Sequence, residues 1–204
     1  RQERYAKLWS RFGKYLIGAI ALVVVVAAIV IAWQNVTEGR RQAEGERFAS
    51  ALELAREGAT EQAATAFNRL AQNSGSGYRA LAHLQAAAAM VKAGNTDQAI
   101  VIYDRLATDG AVDRILRDLG VLLAALHRFD VADNAEMLQR LGPLLLDGNA
   151  WRFSAREMQA LVIHRSGDVA QARSLLEALV DDVDAPNGIR SRAAELLGVM
   201  GGEG

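Results

Sequence analysis

The residues of this 204-residue chain best suited to acid–base or metal chemistry are His83, His127 and His164. An imidazole titrates near neutral pH and ligates zinc, but a site needs close ligand spacing of the HExxH kind, and none occurs. The three fall in different segments and at different helical phases, which makes them structural histidines. Ser166 stands close to His164, yet nucleophilic catalysis also needs an orienting acid and an oxyanion device, and neither accompanies the pair. Asp181, Asp182 and Asp184 gather carboxylates without the alternation of a calcium loop and read as a solvated helix end. Two i,i+4 pairs, Asp113–Arg117 and Arg114–Asp118, suit helix-surface ion pairs. The chain has no cysteine, which excludes disulfides, thiol catalysis and cysteine metal sites. No phosphate-binding glycine loop is present either. The expectation is therefore no enzyme and no cofactor: whatever this chain does, it does with a surface.

The elements that would carry such a surface begin with a membrane anchor. Residues 15–33, from Tyr15 to Trp33, hold no charge and no proline. A helix needs roughly 20 apolar residues to span a bilayer core, and this run supplies them. Before it, residues 1–14 form a basic head in which Arg1, Arg4, Lys7, Arg11 and Lys14 face one acid, Glu3. Lys and Arg near a crossing favour the cytoplasmic side, which places residues 34–204 across the membrane. Trp9, Tyr15 and Trp33 suit the two interfaces. A cleaved signal peptide has a shorter apolar core and a small-x-small end, whereas this run closes on Ala32-Trp33-Gln34-Asn35, so the reading is a retained anchor. The head suits anionic membrane lipid. The net charge of −1 divides into about +4 for the head and −5 for the rest, which holds 18 basic and 23 acidic residues. No basic stripe offers itself to nucleic acid.

Beyond the anchor, three segments look alike: Gly58-Ala-Thr-Glu-Gln-Ala63, Gly94-Asn-Thr-Asp-Gln-Ala99 and Gly167-Asp-Val-Ala-Gln-Ala172. A weaker fourth is His127-Arg-Phe-Asp-Val-Ala132. Each glycine is expected to end one helix with a left-handed residue, and Thr60, Thr96 or Asp168 to cap the next. One turn after each small residue stands a bulky one, Phe67, Tyr103 or Leu176, on the same helix face; the fourth segment has Glu136 in that slot. The preceding helix carries Ala51, Ala87, Gly120 or Ala160 seven residues before the closing position, where a small residue lets paired helices approach. The closing positions lie 36, 33 and 40 residues apart. Helices are expected from the anchor to about 57, then over about 60–72, 78–93, 96–108, 111–127, 130–145, 150–166, 168–181 and 187–200. This pattern resembles degenerate tetratricopeptide repeats (TPRs). The fold class is all-α: a single N-terminal transmembrane helix, then a TPR-like α-solenoid of about four helix pairs and a C-terminal capping helix.

The order of parts carries a closer resemblance. A basic head leads through Arg11-Phe-Gly-Lys14 into one crossing and the repeats, which contain Tyr78-Arg-Ala-Leu-Ala-His-Leu84, Asn149-Ala-Trp-Arg-Phe153 and Ser166-Gly-Asp-Val-Ala-Gln-Ala-Arg173. The chain resembles the YfgM-like family, the ancillary TPR subunit of the bacterial Sec translocon. The resemblance implies a single-pass inner-membrane protein with its TPR domain in the periplasm. As partners it implies the SecYEG translocon, a membrane-anchored periplasmic isomerase chaperone of the PpiD type, and client polypeptides. It carries no catalytic motif. The alternative is a TPR accessory or assembly subunit of another inner-membrane or cell-envelope complex, because repeats of this kind present partners without specifying them. The TPR phase, carried over to this chain, puts Phe48, Leu52, Leu81, Leu84, Val91, Arg114, Arg117, Leu161, His164 and Arg165 on the concave face. Packed core is the competing reading for Leu81, Leu84 and Leu161.

Overall fold

A computed structural model describes residues 37–201. The basic head and the expected crossing at 15–33 lie outside the described residues. Among the described residues no helix is long and apolar enough to cross a membrane. The chain divides into two units, Arg1–Glu46 and Arg47–Gly204. Of the first, residues 37–46 are helical and mostly exposed.

Helix is the only regular structure among the described residues. Residues 37–56 form α1, followed by α2 (Thr60–Asn73), α3 (Ser76–Lys92), α4 (Thr96–Thr108), α5 (Arg114–Arg128) and α6 (Asn134–Leu141). A 3-10 turn at Gly142–Leu144 leads to α7 (Arg152–Arg165), α8 (Val169–Asp181) and α9 (Asn187–Gly201). Within the second unit α3–α4, α5–α6 and α7–α8 pack as three of the expected pairs, residues of α1 share a core cluster with α2 as the first, and α9, the last helix among the described residues, packs on α8 and touches α7.

The repeat glycines end helices as the sequence predicts. Gly58, Gly94 and Gly167 have φ of 81°, 80° and 94°. Each is followed by the same six-to-one backbone bond, Ala59 N–H to Leu54 O at 2.9 Å, Asn95 to Met90 at 2.9 Å and Asp168 to Ile163 at 3.3 Å. A left-handed residue aims those N–H groups back at orphan helix carbonyls, which is the glycine C-cap arrangement. The caps that follow are less uniform. Asp168 accepts from Gln171 N–H at 2.9 Å. Thr60 and Thr96 are instead the first helical residues, after Ala59 and Asn95, and Thr60 donates its hydroxyl to Gly58 O at 3.2 Å.

The third pair departs from the expected frame. His127 lies inside α5, and Ala132 sits in the turn before α6 rather than in its first turn. Asp133 caps α6 by accepting from Glu136 N–H at 2.7 Å. The fourth helical position, occupied by Ala63, Ala99 and Ala172 in the other pairs, is here Met137; the bulky slot one turn on is Leu141, and both are fully buried. Glu136 points instead to Arg128, 2.7 Å away. Helix α6 is also shorter than expected, because the chain tightens into a 3-10 turn at Gly142-Pro143 and a proline cannot donate to a continuing helix.

This short α6 leaves the third and fourth pairs to be joined by side chains. Met137, Leu141 and Leu144 share one core cluster with Leu122 of α5 and Met158 and Val162 of α7. Polar bonds reinforce it. Trp151 donates its indole N–H to Ile115 O at 2.8 Å, and Asn149 Nδ2 donates to Asp118 at 2.9 Å. Asn149 is buried, and its Oδ1 accepts from Trp151 N–H at 2.8 Å, so the same amide also starts α7.

Candidate docking face

The first helix of each pair carries the residues predicted for the concave face, and the structure sorts them into three groups. Phe48, Leu52, Leu84 and Val91 lie half-buried on one apolar cluster built by α1 to α5. Phe48 tilts against Phe67 at 5.4 Å and against Tyr78 at 5.8 Å between ring centroids. Leu84 also covers the small cluster of Ala80, Leu106 and Val112. Leu81, one turn after Tyr78, is 45% exposed. An isolated exposed leucine is unremarkable in a soluble surface, but this one stands beside a half-buried aromatic on the same helix stripe.

The second group is on α5. Arg114 is exposed and lies 3.6 Å from Asp118. Arg117 is half-buried, and its Nε has no hydrogen-bond partner among the described residues. Ile115, between them, is 54% exposed, an apolar surface residue that the TPR phase passes over.

The third group is on α7. Leu161 packs at the edge of the last core cluster, and His164 is half-buried. Arg165 is committed elsewhere. Its guanidinium donates to Phe129 O, to Ala132 O at 2.9 Å and to Asn134 Oδ1 at 2.8 Å, and it stacks over the Phe129 ring at 4.8 Å. Arg165 therefore ties α7 to the irregular α5–α6 turn and has little left to offer a partner. Sequence spacing gives no sign of this, since two of the acceptors are backbone carbonyls of a turn whose shape departs from the repeat frame and the third is the Asn134 side chain at the start of α6.

The groups with chemical potential have local partners. Ser166 donates its hydroxyl to Ile163 O at 2.6 Å. Asp182 accepts from Asp184 N–H at 2.9 Å and lies 3.6 Å from Arg156. His127 stacks on Tyr103 at 5.6 Å with rings 4° from parallel. Among the described residues no group of three or more His, Asp or Glu could hold a metal ion.

His83 is set in a charged cluster. It is buried, with Nε2 3.8 Å from Asp109 Oδ2, and Arg79 reaches the same oxygen at 3.4 Å. Burial holds the His83 pKa below its ordinary 6.5; Asp109 opposes this, and the charges of Arg79 and Arg105 add to it. Asp109 is held below 3.8 by the Ala111 N–H above all; burial, the next effect, opposes this, and Arg79 and then His83 add to the lowering. Both groups bind protons less readily folded than unfolded, so stability falls with acidification. His83 contributes first, as pH drops below 6.5, and Asp109 follows below 3.8. The thermal midpoint of the chain is expected to be flat near neutrality and to decline toward pH ~5, with His83→Gln removing that decline. A rising midpoint, or an unchanged slope in the variant, would show that the cluster does not govern it.

In comparisons with known proteins, the family described as a tetratricopeptide repeat-like domain matches residues 6–193. No curated protein and no solved structure matches the chain.

Proposed function

We propose, from the premise that this chain belongs to the tetratricopeptide repeat-like domain family, that it is a membrane-tethered periplasmic docking scaffold working beside the Sec translocon. The observation that carries this reading is that the family match begins at residue 6, and so takes in the uncharged run 15–33 together with the helix pairs. TPR-like pairs serve typically as protein–protein interaction surfaces rather than as catalytic sites. The positive head favours the cytoplasmic side, and the acidic remainder then lies in the periplasm. Tethering confines the docking face to a shell near the channel exit, which raises its effective concentration for emerging chains and for a PpiD-type chaperone. Contacts as modest as Leu81, Phe48 and the α5 arginines suffice under such confinement.

A photoreactive residue at Leu81 or at Arg117, in native membranes, tests the assignment. Adducts with translocon subunits, a membrane-anchored isomerase or emerging secretory chains are expected. Leu81→Asp, with the reactive residue at Arg117, is expected to cut their yield about fivefold, the effect of losing a modest hot spot. Adducts confined to the subunits of a different envelope complex would keep the scaffold and discard the Sec assignment.

A further inference from the structure

The first pair has a second apolar surface, separate from the face just described. Helix α1 contributes Arg47, Ala51 and Leu54, at i, i+4 and i+7, and α2 contributes Ala66, Arg69 and Leu70; together they line a cleft of about 410 Å³. Its length along α1 is about two helical turns. Ala51 and Leu70 are buried at its floor, while Leu54 and Ala66 are half-buried. Helix α2 turns Ala63, Phe67 and Ala71 into the main core, and Ala51 and Leu70 at the cleft floor belong to that same cluster, so the cleft is its open edge between α1 and α2.

Two observations say what would cover it. The first is charge. Arg47 and Arg69 flank the apolar floor, and among the described residues neither has an ion pair. This cationic rim stands in a domain whose overall balance is acidic. The second is the way the fold covers its fourth pair. There α9 lays Ile189, Ala193 and Met200, with Leu196 and Leu197 beside them, against α7 and α8. A helix with apolar residues at i, i+4 and i+7 is thus a cover this architecture already uses for an apolar stripe.

We infer that the α1–α2 cleft is a second docking site, which takes an amphipathic helical segment of a partner protein with carboxylates beside its apolar stripe. This rests on the reading of the domain as a docking scaffold and adds the chemistry of one partner. Apolar side chains would fill the floor, while Glu or Asp at the edges of the stripe would meet Arg47 and Arg69. Charges at a rim choose the partner more than they strengthen the complex.

The test uses the full chain in nanodiscs of zwitterionic lipid, with empty nanodiscs subtracted. The probe is a fluorescein-labelled helical peptide of two to three turns carrying leucines at i, i+3, i+4 and i+7 flanked by Glu; the control peptide has Lys for each Glu. Native chain is expected to prefer the Glu peptide by about tenfold, and Arg47→Glu with Arg69→Glu to reverse that preference, a swap that misfolding cannot produce. A photoreactive residue at Asn73, which also lines the cleft, is expected to capture the Glu peptide. Equal affinity for both peptides, or a reversed-charge chain that still prefers Glu, overturns the inference. So do Asn73 adducts with a second copy or with the chain's own residues in place of the peptide. If Leu81→Asp abolishes peptide binding and the charge reversal does not, the scaffold reading survives and this cleft is not the site.

Discussion

Gly120→Val is expected to lower the thermal midpoint of the chain by roughly 5–10 °C, through a loss of about 2–3 kcal/mol from overpacking. Glycine inside a helix is ordinarily a liability of about 1 kcal/mol relative to alanine, so most substitutions there help. At Gly120 the neighbours reverse the sign. A Cβ would lie 2.9 Å from Tyr103 O, 3.0 Å from Ala107 N and 3.2 Å from Leu106 Cγ. The first two atoms belong to the backbone of α4 and cannot rotate aside, so α5 must move outward. That movement opens the cluster of Ala80, Leu106 and Val112 and loosens Leu84 and Leu116 above it. Gly198 in α9 is the control, because a Cβ there meets nothing within 4 Å. Gly198→Ala should raise the midpoint slightly, Gly120→Ala should lower it, and Gly120→Val should lower it further. If both alanine variants move the midpoint the same way, the α4–α5 approach is not what requires glycine. Circular dichroism of the full chain in mild detergent reads all three.

Gly120 also shows what spacing can reveal. The sequence places a small residue seven before each closing position, and Ala51, Ala87, Gly120 and Ala160 are all buried. The rule works because close helix approach leaves no room for a larger side chain, whatever the neighbouring sequence. The left-handed glycines were legible for a similar reason: Gly58, Gly94 and Gly167 each stand where the chain must reverse within a few residues. The caps were harder to read, since Thr60 and Thr96 sit one residue past the capping position, and a threonine at either place gives the same local pattern.

The docking face was legible only in part, for a different reason. Helical phase says which side of α1, α3, α5 and α7 a residue occupies, but not what else reaches that side. Arg165 is in phase with the face and yet spends its donors on Phe129 and Ala132 of the α5–α6 turn and on Asn134 at the start of α6, all over thirty residues away in sequence. Arg114 is shared with Asp118. Leu81 is exposed, and only the packed structure separates it from Leu84 three residues later. The α1–α2 cleft is not legible in the sequence because its residues belong to two helices, and its distinguishing property, a rim of arginines without an ion pair among the described residues, is a fact about three-dimensional neighbours.

The third pair offers a substitution test between the sequence frame and the structure. The frame puts Glu136 in the bulky core slot, so Glu136→Leu should fill a buried position and stabilise by about 1.5–3 kcal/mol. The structure puts Leu141 there, fully buried among Met137, Leu144, Met158 and Val162. Leu141→Ala is therefore expected to cost about 2–5 kcal/mol, the range for emptying a packed leucine site. Glu136→Leu should change stability by less than about 1 kcal/mol, because what it loses is a partly exposed ion pair with Arg128 at 2.7 Å and a longer contact with Arg140 at 4.0 Å. The two variants compared in urea melts of the full chain decide the matter, and a stabilising Glu136→Leu beside a mild Leu141→Ala would restore the repeat frame. Amide exchange adds the location. In a solenoid each pair leans mainly on its neighbours, so lost protection in Leu141→Ala should concentrate in α6 and the facing parts of α5 and α7. Since Leu141 lies in the cluster that joins the third pair to the fourth, weakening it should also free the Arg165 clamp, and the α5–α6 turn should exchange faster than α2 or α3.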